Sequence, residues 1–199
     1  MPTNADNLHA FLRTRRSTRR FKPEPIVDEV VARILATATF APSAHNLQPW
    51  RFAVVATSVV KTRLGESLTN AMRADMQAEG ASKSEIEARV VRSLRRLDEA
   101  PVVIILCRDV IAVNTNAIEE TIMSIQSVAA AGLQLLLAAH AEGLGGNWIC
   151  WPLYAQRETR QALELPDTWE PQAMFILGRA NEAPKPKSVT SIEKITIQL

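Results

Sequence analysis

A chain of 199 residues, 47% apolar and 22% charged, can bury an ordinary core as one domain and cannot hold more than two small ones. A formal net charge of +2 is too small an excess to hold nucleic acid or an anionic membrane surface as a partner. Cys107 and Cys150 lie far apart and form no CxxC pair, which excludes a disulfide framework and a thiolate metal site and leaves free buried thiols as the expectation.

The N-terminus, MPTNADNLHAFL, lacks the basic region and apolar run of a secretory signal. A first helix starts near Asn7 with Leu8, Phe11 and Leu12 on one face. The basic run Arg13 to Lys22 follows, and then an extended segment through Pro23 and Pro25. Asp28 and Glu29 open a second helix that carries Val30, Val31, Ile34 and Leu35 and stops before Pro42. Trp50 to Ala56 is β-branched and aromatic enough to be a strand. A helix is expected from about Ser58 to Glu79, broken by Gly80. Ser84 and Glu87 then read as the capping box of a further helix, with Ile86, Val90, Leu94 and Leu97 as its apolar stripe and Pro101 as its end.

Val102 to Cys107 is an uninterrupted apolar run, the pattern of a strand buried on both faces. From about Thr115 to Ala141 the sequence predicts a long Ala-rich helix, apolar almost all round, which belongs in a core or an oligomer interface. Its most apolar part, Val128 to Ala141, is about 14 residues long, short of a bilayer span, so the chain is expected to be soluble and cytoplasmic, with no membrane partner. Gly143, Gly145 and Gly146 are expected to end that helix. A short helix near Gln156 to Leu163 and a strand from Ala173 to Gly178 precede a Pro/Lys-rich tail. The irregular alternation predicts one α+β domain over residues 1–199.

Two segments carry chemistry. RTRRSTRRFK, Arg13 to Lys22, holds six basic residues in ten and no acidic one. It reads as a solvated basic turn, a nucleic-acid arm or a site for a phosphorylated ligand. No second basic stripe extends a phosphate track, which weighs against the arm. A phosphate monoester wants several cations and short donors, and Arg15, Arg16 and Ser17 supply forks and a hydroxyl side by side. On a helical turn Arg19 would share a side with Arg15. No GxGxxG or P-loop supplies a glycine cradle instead. The second segment, APSAHNLQPW from Ala41 to Trp50, is either a surface loop or a rigid presentation of Ser43, Asn46 and Gln48 between two prolines. His45 and His140 have no second ligand at metal spacing, so no metal is expected. Trp148 and Trp151 read as core or interface aromatics as readily as site residues.

Together RRSTRRF and PIVDEVVARILATATFAPSAHNLQPWRFAVV resemble the nitroreductase superfamily of FMN enzymes, and HAEGLGGNWI extends the likeness to nearly the whole chain. The stretch between, AMRADMQAEGASKSEIEARVVRSLRRLDEAPVVIIL, is most similar to the flavin domain attached to the glutamate ligase of deazaflavin-coenzyme biosynthesis. The resemblance implies a nitroreductase-like α+β fold, with a central mixed sheet layered between helices and the long core helix at the interface of a homodimer. It implies FMN as cofactor, NADPH or NADH as electron donor and a small organic acceptor served in turn at one site, the flavin itself carrying the redox chemistry. Nitroaromatics, quinones, enones and a deazaflavin all remain open as acceptors. Arg15 and Ser17, with Arg16 beside them, would grip the FMN phosphate and ribityl chain. Arg19 would reach the pyrimidine edge, where a cation steadies the negative charge of reduced flavin. Pro42, Ser43 and Asn46 would come from the other subunit, so that each site is shared. Backbone amides near Cys150 and Trp151 would face flavin N5, with Gly145 and Gly146 allowing close approach. From the tail Lys187, with Lys185 as its rival, would return to the phosphate.

Overall fold

The computed structural model describes residues 4–112 and 117–199. In chain order these form α1 (Ala5–Thr14), α2 (Asp28–Ala38), β1 (Trp50–Val55), α3 (Ser58–Ala78), α4 (Lys83–Asp98), β2 (Val102–Asp109), α5 (Ile118–Ala141), β3 (Gly145–Ile149), α6 (Trp151–Tyr154), α7 (Gln156–Leu163) and β4 (Trp169–Gly178). The four strands make one sheet in the order β1-β2-β4-β3 with antiparallel pairing throughout. Among the described residues the sheet is mixed only through a one-residue parallel bridge between Ser17 and Gly146.

Strand periodicity builds three layers. Ile104 and Leu106 point to one face, where α2 and α5 supply Ile34, Ala131 and Leu135. Val103, Ile105 and Cys107 point to the other, where α3 and α4 supply Leu64, Leu68 and Leu97. An apolar run in β2 is therefore required, since neither face meets water. Close approach of α5 to the sheet depends on Gly132, where a Cβ would lie 2.8 Å from both Phe175 and Trp148. The rings of Trp148 and Phe175 pack edge to face at 4.9 Å.

Several local expectations change. The capping box is Ser82 with Glu85, because the chain turns at Gly80 (φ 82°) two residues earlier than the Ser84 reading required. Glu87 instead pairs with Arg73 at 2.9 Å and so ties α4 to α3. Gly143 (φ 72°) ends α5, whereas Gly145 and Gly146 belong to β3, which the sequence reading took for a turn. β4 begins at Trp169, before the expected Ala173, because the register shift beside Leu106 and Cys107 accommodates Pro171. The expected start of the long helix at Thr115 lies outside the described residues. At 24 residues α5 is long and apolar enough to cross a membrane, contrary to the shorter stretch read from sequence, yet half of its most apolar window is buried inside the fold. No residue of α1 is buried: Leu8 and Leu12 are half-exposed, and Phe11 stacks on His140 at 4.8 Å.

Candidate functional site

The basic segment is extended beyond α1, not helical. Arg15 caps α1 with φ −57° and ψ 132°, and Ser17 bridges to β3. Arg15 and Arg19 therefore do not share a helical turn; they line one cavity, together with Arg16 and Ser17, from an extended segment. Between them Thr18 turns inward and is buried, and its amide donates to the Gly146 carbonyl at 3.0 Å. A Cβ on Gly145 would lie 2.5 Å from Thr18 Oγ1. One on Gly146 would lie 2.8 Å from Leu136 and Leu177. The two glycines thus admit protein neighbours: they seat the basic segment on the sheet.

Residues 179–182 run back alongside this segment. Lys22 N donates to the Arg179 carbonyl at 2.9 Å and Asn181 N to the Arg20 carbonyl at 2.9 Å. The Glu182 carboxylate accepts from the Arg19 amide and, at 3.2 Å, from the Arg20 amide. Sequence reasoning missed Glu182, whose role depends on a contact across more than 160 residues. The tail then crosses over, and Arg15, Arg16, Ser17, Arg19, Lys185, Pro186, Lys187 and Ser188 enclose a cavity of about 370 Å³. Both tail lysines that the sequence offered as rivals line it. Arg16 turns its guanidinium to the carbonyls of Arg13 and Arg15. Arg15, Arg19, Lys185 and Lys187 have no carboxylate partner among the described residues. Four unneutralised cations around the Ser17 hydroxyl fit a phosphate dianion.

A second cavity of about 980 Å³ opens on the other side of the β3 end. The α3–α4 hairpin and the start of α6 line it through Met72, Met76, Arg89, Arg92, Arg96, Ile149, Cys150 and Trp151. Cys150 is exposed there and precedes the first turn of α6. The Trp151 indole is buried and donates to the Leu68 carbonyl at 3.2 Å, so its side chain serves the core. The Arg96 guanidinium is held below its ordinary pKa, first by partial burial and then by repulsion from Arg19, Arg89, Arg92 and Arg95. That coupling to Arg19 links the large cavity to the basic segment. The α4 arginines were legible in sequence as residues spaced by three and four, on the flank beside the stripe of Ile86, Val90 and Leu97.

Pro42, Ser43 and Asn46 line neither of these cavities. Their loop is rigid: Ser43 Oγ accepts from Gln48 N at 3.1 Å, Asn46 Oδ1 accepts from Gln48 Nε2 at 3.1 Å, and Ser127 Oγ holds Ala44 N at 3.1 Å. His45, Asn46 and Gln48 all take positive φ, between 49° and 55°. Three left-handed non-glycine residues in so short a stretch are backbone strain held in place by these bonds. Of the two thiols, Cys107 is buried and Cys150 is not, so the expectation of two buried thiols holds only for Cys107.

A three-layer α+β domain whose extended basic segment and returning tail build an anion cradle beside a large cavity defines the class. The chain belongs to the Nitroreductase family, which it matches over residues 12–179. It is 31% identical over 184 residues to a 5,6-dimethylbenzimidazole synthase of Rhodospirillum rubrum, covering 91% of this chain and 85% of that protein. A BluB-like flavoprotein from Clostridium difficile superposes with a TM-score of 0.80 at 24% identity, over 96% of this chain and 98% of that one. A Desulfovibrio desulfuricans protein solved in complex with FMN superposes with a TM-score of 0.77 at 24% identity, over 100% of this chain and 98% of that one. These relatives do not carry the finer likeness to the flavin domain of the deazaflavin-coenzyme ligase.

Proposed function

We propose that this chain is an FMN-dependent oxidoreductase that takes electrons from NADPH or NADH and passes them, in a ping-pong sequence, to a small organic acceptor. The observation that carries the reading is the cluster of unpaired cations, Arg15, Arg19, Lys185 and Lys187, closed around Ser17. FMN, when bound, would supply the hydride and electron chemistry. The protein's part is then binding, orientation and electrostatics. Arg15, Ser17 and the tail lysines hold the phosphate. Arg19, two residues and about 6–7 Å further along an extended chain than Ser17, would reach the ring. In this reading the amides of Cys150 and Trp151, which line the larger cavity, would meet the ring's reacting edge.

The same reading makes the functional unit a homodimer. Ile118, Ile122, Ile125 and Leu133 expose apolar surface along α5, and Leu8 and Leu12 expose more on α1. A partner that covers these surfaces removes that area from water. Pro42, Ser43 and Asn46 then complete the partner's site.

Gently purified protein is expected to be yellow and to release FMN, not FAD, on heating. NADPH or NADH should bleach it without air, and an added quinone should restore the colour. Protein that stays colourless after soaking with FMN defeats the proposal. Arg15→Ala should weaken FMN binding by about 1.5–3 kcal/mol, as for a lost charge-assisted contact. Arg19→Ala should mainly lower the flavin reduction potential. Equal affinity losses at unchanged potential would show the two roles to be wrongly divided. The likeness to the Rhodospirillum rubrum enzyme supports a second reading, formation of 5,6-dimethylbenzimidazole. Chromatography of the products left by the reduced, aerated protein separates the two.

A further inference from the structure

Among the described residues, two groups of arginines have no carboxylate partner. Arg20, Arg33, Arg51, Arg63, Arg73, Arg95, Arg108, Arg157, Arg160 and Arg179 all form ion pairs. Those that do not are confined to residues 13–19 and to Arg89, Arg92 and Arg96 on α4. The first group has its use in the phosphate cradle. The second does not: it stands on the wall of the larger cavity, on the flank of α4 beside its buried stripe.

Like charges three and four residues apart on a helix repel and weaken it. Arg92 and Arg96 are spaced by four, and Arg89 and Arg92 by three. Arg96 is also half-buried, so it gives up hydration and gains no counter-ion in return. A solvated charged face would spread such residues or alternate their sign. Here they are gathered on one wall of a single cavity of about 980 Å³. Met72, Met76, Ile149 and Trp151 give the cavity an apolar surface, suited to a flat ring. Acidic residues line it too: Asp75, Glu79 and Glu85. None is within ion-pair distance of the three arginines, and Glu85 is engaged by the Ser82 hydroxyl at 2.6 Å. They sit by the α3–α4 turn; Glu85 is one turn from Arg89 but eleven residues, about 16 Å along the helix axis, from Arg96. The cavity is therefore graded, acidic at the hairpin turn and basic toward Arg92 and Arg96.

We propose that this cavity admits an aromatic reactant bearing two or more negative charges, as phosphate or carboxylate, whose anionic part is held by Arg92 and Arg96 with Arg89 behind them. The inference deepens the oxidoreductase reading and rests on it for the word reactant; the anion site itself does not need a flavin. Neutral aromatics would enter the same space with no claim on the arginines. The row thus selects among donors and acceptors by charge, while Arg15 and its neighbours anchor the cofactor.

The test uses FMN-loaded protein, in which the phosphate cradle is filled. Calorimetric titration with 4-nitrophenyl phosphate and with 4-nitrophthalate compares a phosphate dianion and a dicarboxylate on similar rings; nitrobenzene is the neutral control. Both dianions are expected to bind more tightly than nitrobenzene, and their affinity should fall steeply with salt. The double variant R92Q/R96Q, altered at positions outside the buried stripe, should lose about tenfold or more in dianion affinity and leave nitrobenzene unchanged. R92K/R96K should recover part of the loss. If one dianion alone responds, the site's chemistry is that group's. Three results overturn the proposal: dianions no tighter than nitrobenzene, an R92Q/R96Q protein that binds them as the parent does, or a loss of FMN affinity in that variant in place of a loss of dianion affinity. Protein that holds no FMN defeats the flavin reading alone. The same titration in an Arg15→Ala background, which weakens the first anion site, then decides the second.

Discussion

Cys107 and Cys150 carry the same group in opposite settings. Burial in the sheet, with Glu170 nearby, pushes the Cys107 thiol up to about 12. Cys150 stands exposed at the mouth of the large cavity. Iodoacetamide at about pH 8 should therefore modify only Cys150 in the native protein and both thiols in urea. The same shift has a consequence for stability. The folded state keeps the Cys107 proton after the unfolded chain has lost it, so the thiol's contribution is intact below its ordinary value near 8.5 and declines as pH rises toward about 12. Within that window the parent should lose about 1.4 kcal/mol of stability per pH unit more than a Cys107→Ala variant. Urea midpoints of both proteins at two alkaline pH values check this. Parallel curves would show that Cys107 is ionised freely in the fold.

At the scale of elements, β3 and the basic segment depend on one another. Gly145 has no Cβ because Thr18 occupies the space, and the Thr18 amide closes the bridge to Gly146. Gly145→Ala should force Ser17 and Thr18 off the strand at a cost of about 1–3 kcal/mol, as overpacking of a tight contact does. In a chain of this size that lowers Tm by roughly 2–4 °C per kcal/mol. Because Ser17 moves with Thr18, the FMN affinity proposed for the cradle should fall too. Adding Thr18→Gly to Gly145→Ala removes the colliding side chain and should restore much of both losses. Thermal melts and FMN titration of the single and double variants are the check. A Gly145→Ala protein with unchanged Tm and flavin affinity would contradict the role assigned to this contact.

For the whole molecule, the question is where the strained loop around Ser43 and Asn46 does its work, since it lines neither cavity of its own chain. In the proposed dimer it faces the partner's Arg15 and Arg19. Co-expression of an Arg15→Ala/Ser17→Ala chain with a Ser43→Trp/Asn46→Ala chain tests this. If sites are shared, each heterodimer has one doubly damaged site and one intact site. It should hold up to half the parental flavin, while each variant alone stays nearly empty. If each site lies within one chain, every site carries one lesion and nothing is recovered.

The sequence by itself determined the elements whose residues repeat in a local pattern. The apolar run of β2, the stripe of α4 apart from Leu94, which is exposed at its edge, and the Ala-rich α5 show their burial through periods set by the backbone. It also determined the basic segment and the family likeness, because motifs at fixed spacing need no three-dimensional knowledge. What only the tertiary structure decided are contacts between residues far apart in the chain. Glu182 reaches the amides of Arg19 and Arg20, Lys185 and Lys187 come back over Ser17, and the spacing of Arg15 and Arg19 proves to be that of an extended segment. β3 was hidden for the same reason: two glycines read locally as a turn, and only pairing with β4 on one side and Thr18 on the other makes them a strand. A backbone segment is assigned by what satisfies its hydrogen bonds, and for β3 those partners lie elsewhere in the sequence.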